Sequence, residues 1–168
     1  MKIPAAFFLF GIISAVLGSE FLYTVEISPD NLADIDLQQN VEIRDAGNKT
    51  KAIVVSKKNS AWLLLSKDHC LGKKITVTFR YKTAKKGIFP KKAKALLRYA
   101  KGEVYYSGVV GKPVELKVGD EWKSAACFIK FPNEMEDAIL MFSSSDAEYF
   151  VTDIKVLQNK TEKEKLSL

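Results

Sequence analysis

Between Ile75 and Lys82 the side chains alternate without a break: Ile75, Val77, Phe79 and Tyr81 on one parity, Thr76, Thr78, Arg80 and Lys82 on the other. A period of two belongs to an extended strand with one buried and one wet face, and no helix can present it. The same habit recurs in Leu22–Ile27, Val41–Arg44, Ala52–Ser56, Ala61–Leu65, Ala95–Tyr99, Val114–Val118, Trp122–Phe131, Ala138–Phe142 and Tyr149–Leu157. Turn-forming residues fall between these runs, as in Pro29-Asp30-Asn31, Asp45-Ala46-Gly47-Asn48, Lys57-Lys58-Asn59, Gly119-Asp120, Pro132-Asn133 and Ser143-Ser144-Ser145-Asp146. So many short strands predict an all-β fold, two packed sheets or a barrel, and turns every roughly 8–12 residues favour a two-sheet antiparallel β-sandwich.

Helical periodicity is almost absent. The good helix formers of Lys91–Arg98 admit a helix over Pro90–Ala100, but a loop running into a strand is the preferred reading. A short helical turn is expected near Asn31–Leu37. No internal repeat or linker divides the chain, so one domain is expected over residues 19–157, followed by a polar, flexible Lys/Glu-rich tail at 158–168.

The first residues carry a different signal. Met1-Lys2 precedes an uncharged, mostly apolar run from Ile3 to Leu17 that ends in Gly18-Ser19. A short positive start, an apolar stretch of roughly 7–15 residues and a small-residue site describe a signal peptide over residues 1–18. An uncleaved anchor is the rival, although the run is short for a span of about 20 residues. The expected location is therefore extracellular, or periplasmic in a bacterium, with no transmembrane segment in the mature chain. Over all 168 residues the net charge is +6, and Lys2 is the only charge the leader removes. Such a balance permits anionic partners without requiring them.

The chain has two cysteines, Cys70 and Cys127. In an oxidising compartment they allow one disulfide; equally, they allow two separate buried thiols that behave as small apolar side chains. Asn48-Lys49-Thr50 and Asn159-Lys160-Thr161 are glycosylation acceptors if the source is eukaryotic.

Several phrases, taken in order, carry a resemblance: Lys51-Ala52-Ile53-Val54-Val55-Ser56, Ala61-Trp62-Leu63-Leu64-Leu65, Leu71-Gly72-Lys73-Lys74 opening Ile75–Tyr81, Gly119-Asp120-Glu121-Trp122-Lys123, and Ala147-Glu148-Tyr149-Phe150-Val151-Thr152-Asp153-Ile154-Lys155-Val156. From about residue 41 to 157 the chain resembles the β-jelly-roll carbohydrate-binding modules of the galactose-binding-like superfamily, the CBM4/9/22-like group. The resemblance implies a jelly roll and carbohydrate binding without catalysis. It also implies a structural calcium held by acids of the last and first strands. Here the paired acids of the last strand are replaced by Thr152-Asp153, and Glu26 is the one acid in Leu22–Ser28, so calcium is doubtful and no cofactor is expected.

Sugar recognition on a sandwich uses flat aromatic faces with polar groups beside them. Trp62 and the adjacent pair Tyr105-Tyr106 are the platform candidates, since neighbours in a strand point to opposite faces. Trp122 at its turn reads as structural. From His69 to Gly102 there is no acid, while Lys73, Lys74, Arg80, Lys82, Lys85, Lys86, Lys91, Lys92, Lys94, Arg98 and Lys101 are cationic. The bland reading is a solvated surface; the functional one is a patch for an anionic polysaccharide, a membrane surface or another polyanion. Arg80, Lys82 and Arg98 join the ligand-binding candidates on that ground. Export disfavours nucleic acid as a partner.

Catalysis finds little support. His69 is the only histidine, and no spacing around it suggests a triad or zinc. Asp120, Glu121, Glu134, Glu136, Asp137, Asp146 and Glu148 lie in or beside turns, where solvation accounts for them better than a glycosidase pair does. The expectation is a secreted, non-catalytic carbohydrate-binding module. The rival is a structural or protein-interaction sandwich of a cell surface.

Overall fold

The structure, a computed structural model, describes residues 21–27, 37–38, 41–102, 104–106 and 112–159, with side chains described for Glu26, 41–102 and 112–159. The leader at 1–18, the turn near Asn31–Leu37 up to residue 36, and the tail from residue 160 lie outside the described residues.

The alternating runs become strands: β1 (Phe21–Ile27), β2 (Leu37–Gln38), β3 (Glu42–Asp45), β4 (Lys51–Val55), β5 (Ala61–Leu65), β6 (Lys74–Thr83), β7 (Ala93–Lys101), β8 (Val104–Tyr106), β9 (Val114–Glu115), β10 (Lys123–Lys130), β11 (Asp137–Ser144) and β12 (Tyr149–Asn159), and among the described residues a short helix, α1 (Lys67–Cys70), joins them. Sheet I runs β10-β6-β12-β4-β3 with β1 added beside β12, and sheet II runs β2-β5-β11-β7-β8 with β9 added beside β7. Neighbours that are distant in sequence pair antiparallel, as β12 does with β6 and β4, which is the wiring of a jelly roll. Beyond Pro90 the chain is strand rather than helix, because Ala93, Ala95 and Leu97 point into the core at period two.

The core lies between the sheets. From sheet I, Ile75, Val77, Phe79 and Tyr81 point inward, and from sheet II, Leu63, Leu97, Leu140 and Phe142 meet them. Phe79 and Phe142 form an edge-to-face pair across the seam, with ring centroids 4.9 Å apart and planes at 81°, a geometry worth about 0.5–1.5 kcal/mol beyond its buried area. Tyr149 of sheet I is fully buried, and its hydroxyl is directed at the Ser143 and Lys94 carbonyls of sheet II, 3.2 and 3.3 Å away. Such a bond satisfies the one polar atom this ring brings into the core. A satellite cluster of Ala46, Ala52, Val54 and Phe150 covers part of the outer face of sheet I, packed against Trp122.

Two local expectations change. Gln158 and Asn159, assigned to the tail, are the end of β12: Gln158 pairs with Tyr23 on one side and Ile75 on the other, and Thr76 Oγ1 donates to Asn159 Oδ1 at 2.9 Å. Val114–Val118 shortens to a two-residue strand. The helix α1 buries Cys70. At Gly72, which follows it, φ is +70° and the N–H donates to the Pro132 carbonyl at 2.9 Å. A side chain there would be strained, so the Gly72-Lys73-Lys74 phrase has a backbone reason.

Candidate functional site

Strand parity decides which candidates meet. In β6 the inward set is apolar, so Arg80 and Lys82 stand on the outer face of sheet I. In sheet II the inward residues are Ala61, Leu63 and Leu65 of β5, Ala138, Leu140 and Phe142 of β11, and Ala93, Ala95 and Leu97 of β7. The opposite parity therefore puts Trp62, Leu64, Ile139, Met141, Leu96 and Arg98 on the outer face of sheet II. The six ligand-binding candidates do not form one site. Trp62 and Arg98 share a face, while Arg80 and Lys82 lie on the far side of the sandwich.

Register orders the sheet II face into rows. Trp62 is directly opposite Met141, and Met141 is opposite Leu96; in the next row Leu64 faces Ile139, and Ile139 faces Arg98. Trp62 and Arg98 are thus two strands apart, roughly 10 Å across the sheet, and offset by one row of about 7 Å. Gln38 of β2 continues the Trp62 row, and Tyr105 of β8 pairs with Ala100, two residues beyond Arg98. Tyr106 pairs with Tyr99 in the alternate register; the side chains of Tyr105 and Tyr106 lie outside the described residues.

This face is unusual for the outside of a sheet. Trp62, Leu64 and Met141 are half-buried, and Ile139 is fully buried although it points away from the core. Arg98 is half-buried and its Nε is buried with no hydrogen-bond partner among the described residues. A buried donor left without an acceptor costs about 1–3 kcal/mol. An apolar floor flanked by an indole and an under-used guanidinium can stack a flat ring and donate to its hydroxyls.

The sheet I pair is differently committed. Arg80 and Lys82 both lie over the Trp122 ring, with Arg80 Cζ 5.2 Å and Lys82 Nζ 4.8 Å from its centroid. Arg80 also donates to Asp153 Oδ2 at 2.9 Å, and Lys82 Nζ donates to the Ala46 carbonyl at 2.6 Å. Trp122 has a structural role, as its turn position suggests, and it uses two cations that sequence reasoning had assigned to ligand. Beside it, Asp45, Lys82, Lys86, Asp120 and Glu121 line an open cleft of about 410 Å³.

The acids that the resemblance would offer to calcium are already ion-paired. Asp153 is held by Arg80, and Glu26 by Lys155 Nζ at 2.5 Å. No group of three or more His, Cys, Asp or Glu side chains suited to a metal occurs among the described residues. Two acids on separate cations do not supply the several oxygens a hard cation needs, so the described residues do not fit calcium.

Cys70 and Cys127 are free thiols, both buried in the main core, and desolvation pushes each up to about 12. Of the two cysteine readings, the structure has the separate thiols. Other shifted groups move away from neutrality: burial raises the Tyr149 phenol, Arg44 and Lys101 hold the Glu42 and Glu134 carboxyls low, and backbone N–H groups of Ala147 and Lys91 do the same for Asp146.

Two stacked sheets wired in this order are matched by solved structures. The Clostridium thermocellum N-terminal endo-1,4-β-D-xylanase 10B CBM22-1–GH10 modules complexed with xylohexaose superpose with a TM-score of 0.63 at 13% identity, over 84% of this chain and 29% of that one. The CBM22-2 xylan-binding domain of a Paenibacillus barcinonensis xylanase gives 0.61 at 10% identity, over 82% and 99%. A xylan-binding CBM22 domain gives 0.59 at 12% identity, over 85% and 97%. The fold is a CBM4/9/22-like β-jelly roll. At such identities the likeness is one of fold alone, and no protein-family model or curated protein matches the sequence. This jelly roll spans less than a third of the two-module xylanase structure.

Residue type alone singled out Trp62 and Arg98. Met141, Leu64 and Leu96 were missed, although a signal existed: Ala61-Trp62-Leu63-Leu64-Leu65 and Ala138-Ile139-Leu140-Met141-Phe142 are apolar on both parities, unlike β6. A strand apolar on both faces has no plainly wet side.

Proposed function

We propose that this chain is a secreted, non-catalytic carbohydrate-binding module whose ligand lies across the outer face of sheet II, over Trp62, Met141 and Arg98. The observation that carries the reading is that half-buried Arg98, whose buried Nε lacks an acceptor among the described residues, shares an apolar face with Trp62. A sugar hydroxyl accepts from the other N–H groups of this half-buried guanidinium while the ring stacks on the indole. Support comes from the xylan-binding modules that share the fold. A signal peptide over residues 1–18 is in keeping with a protein that meets polysaccharides outside the cell, and the acid-free segment around Arg98 favours a ligand with some negative charge.

The test is a glycan screen of neutral and anionic polysaccharides at physiological salt, followed by titration calorimetry. Binding is expected to fall at least about tenfold in Trp62→Ala and in Arg98→Ala, since each loses a stack or a charged hydrogen bond of about 1.5–3 kcal/mol. Loss of binding in Arg80→Ala with none in Trp62→Ala moves the site to sheet I and sinks the reading.

A second reading has its own observation. Phe128 is 64% exposed on β10, at one end of the described strands of sheet I. Such a side chain on an edge suits a protein partner, and a screen blank for every glycan shifts weight to that role.

A further inference from the structure

The connection from β6 to β7 reads Lys85-Lys86-Gly87-Ile88-Phe89-Pro90-Lys91-Lys92. Ile88 and Phe89 are each 45% exposed, side by side at its apex, while Pro90 behind them is buried. All four lysines are exposed. Two bare apolar side chains inside a ring of cations need an explanation, because a flexible loop would fold them against the protein.

This loop is held out. The Ile88 N–H donates to the Lys85 carbonyl at 3.0 Å, and the Thr83 hydroxyl, 3.0 Å from the Lys85 carbonyl, is also directed at that of Ile88. Gly87, at φ +75°, makes the turn, and its N–H donates to Asp120 at 2.8 Å. On the far side the Lys91 N–H donates to Asp146 at 2.9 Å and the Lys92 N–H to Ser145 Oγ at 3.1 Å. The two acids that accept these backbone donors are outnumbered by the four exposed lysines, so the loop stays cationic. The fold fixes Ile88 and Phe89 outward rather than merely leaving them there.

We propose that this loop docks the protein onto an anionic lipid bilayer, with Ile88 and Phe89 inserted among the acyl chains and Lys85, Lys86, Lys91 and Lys92 at the headgroups. A soluble polyanion would use the lysines but reward nothing at the apex. An apolar interior beneath an anionic surface rewards both. This surface belongs to the end of the sandwich where β6 finishes, so it is separate from the sheet II face and stands whether or not that face binds sugar.

The experiment uses the full chain carrying Phe89→Trp, with wild type supplying the baseline of Trp62 and Trp122. Vesicles of phosphatidylcholine with or without phosphatidylserine, containing bromine-labelled acyl chains, report depth by quenching. Quenching beyond the wild-type baseline is expected on phosphatidylserine vesicles and not on pure phosphatidylcholine. Lys91→Ser/Lys92→Ser is expected to weaken it at least about tenfold, each lysine near such a surface being worth about fivefold. The indole is local to the apex, so membrane contact elsewhere does not imitate the signal. No added quenching overturns the proposal, and so does equal quenching on both lipids. Capture by dextran sulfate without quenching also overturns it and makes the loop a polyanion site. Ile88→Ser/Phe89→Ser, exposed changes that leave the core intact, must lose apex-dependent partitioning while unfolding at the wild-type temperature.

Discussion

Arg80 reaches across sheet I to Asp153, Nη1 to Oδ2 at 2.9 Å, at the one point where β12 breaks register with β6 and Asp153 takes a φ of +51°. The break lets β12 change partners along one edge, from β4 at Tyr149–Val151 to β1 at Ile154–Asn159. A left-handed backbone is costly for every residue but glycine, and less so for asparagine and aspartate than for the rest.

Replacing Asp153 therefore sets two small effects against each other. Both partners are more than a third exposed, so solvent screens the pair and it contributes about 0–1 kcal/mol. Relief of the left-handed strain is worth about 1 kcal/mol. Asp153→Gly is expected to leave the urea midpoint unchanged or slightly raised, and Asp153→Ala to lower stability by about 1 kcal/mol. Because Asp153 and Glu26 are ion-paired, millimolar calcium is expected to shift the unfolding temperature of wild type by nothing measurable. A rise of several degrees on adding calcium, reversed by a chelator, contradicts that assignment.

Arg80→Ala and Lys82→Ala separate stability from binding. Each removes a cation from the Trp122 ring and a hydrogen bond to Asp153 or Ala46. At half-exposed sites such contacts are worth about 0.5–1 kcal/mol. The expected result is a modest loss in denaturant midpoint with carbohydrate affinity unchanged within about twofold, measured on the same preparations.

How much of this was legible beforehand follows from the residues themselves. β6 could be assigned with its facing because four apolar and four polar side chains alternate, and β5 has the bounds its sequence suggests, Ala61–Leu65. Leu37–Gln38 and Val104–Tyr106 are too short for a period to show, and pairing alone makes them strands. Site residues fared worse for a related reason. Parity places Arg80 outward on its strand, but nothing local says which sheet that strand joins, and the continuous apolar runs of β5 and β11 hide their own parity. The aromatic and cationic candidates were individually sensible, and only the long-range register separates Trp62 and Arg98 from Arg80 and Lys82.

Arg98 offers a trade between stability and function. Its Nε lacks an acceptor among the described residues, and Arg98→Met keeps much of the stem while removing the buried donor. Replacing an uncompensated polar group by an apolar one of similar shape is stabilising by about 1 kcal/mol. The variant is expected to unfold at higher urea concentration and to bind carbohydrate at least about tenfold more weakly. Stability that falls instead would mean that the guanidinium is satisfied in the free protein.

The buried thiols set the alkaline limit. Cys70 and Cys127 titrate near 12 in the folded chain against an ordinary value of 9.0, and burial is the cause. Below pH 9 both states are protonated and the thiols contribute their full stability. Above it the unfolded chain releases protons that the folded chain keeps, so stability falls as pH rises from about 9 towards 12, by up to about 1.4 kcal/mol per unit for each thiol. The raised Tyr149 phenol adds a loss of the same sign at higher pH, above its ordinary value of 10.0. Urea midpoints taken between pH 8 and 10 are expected to decline, and Cys70→Ala/Cys127→Ala is expected to flatten the first part of that decline while starting from a less stable protein. A slope unchanged in the double variant would assign the loss to other groups and place the thiols in contact with water.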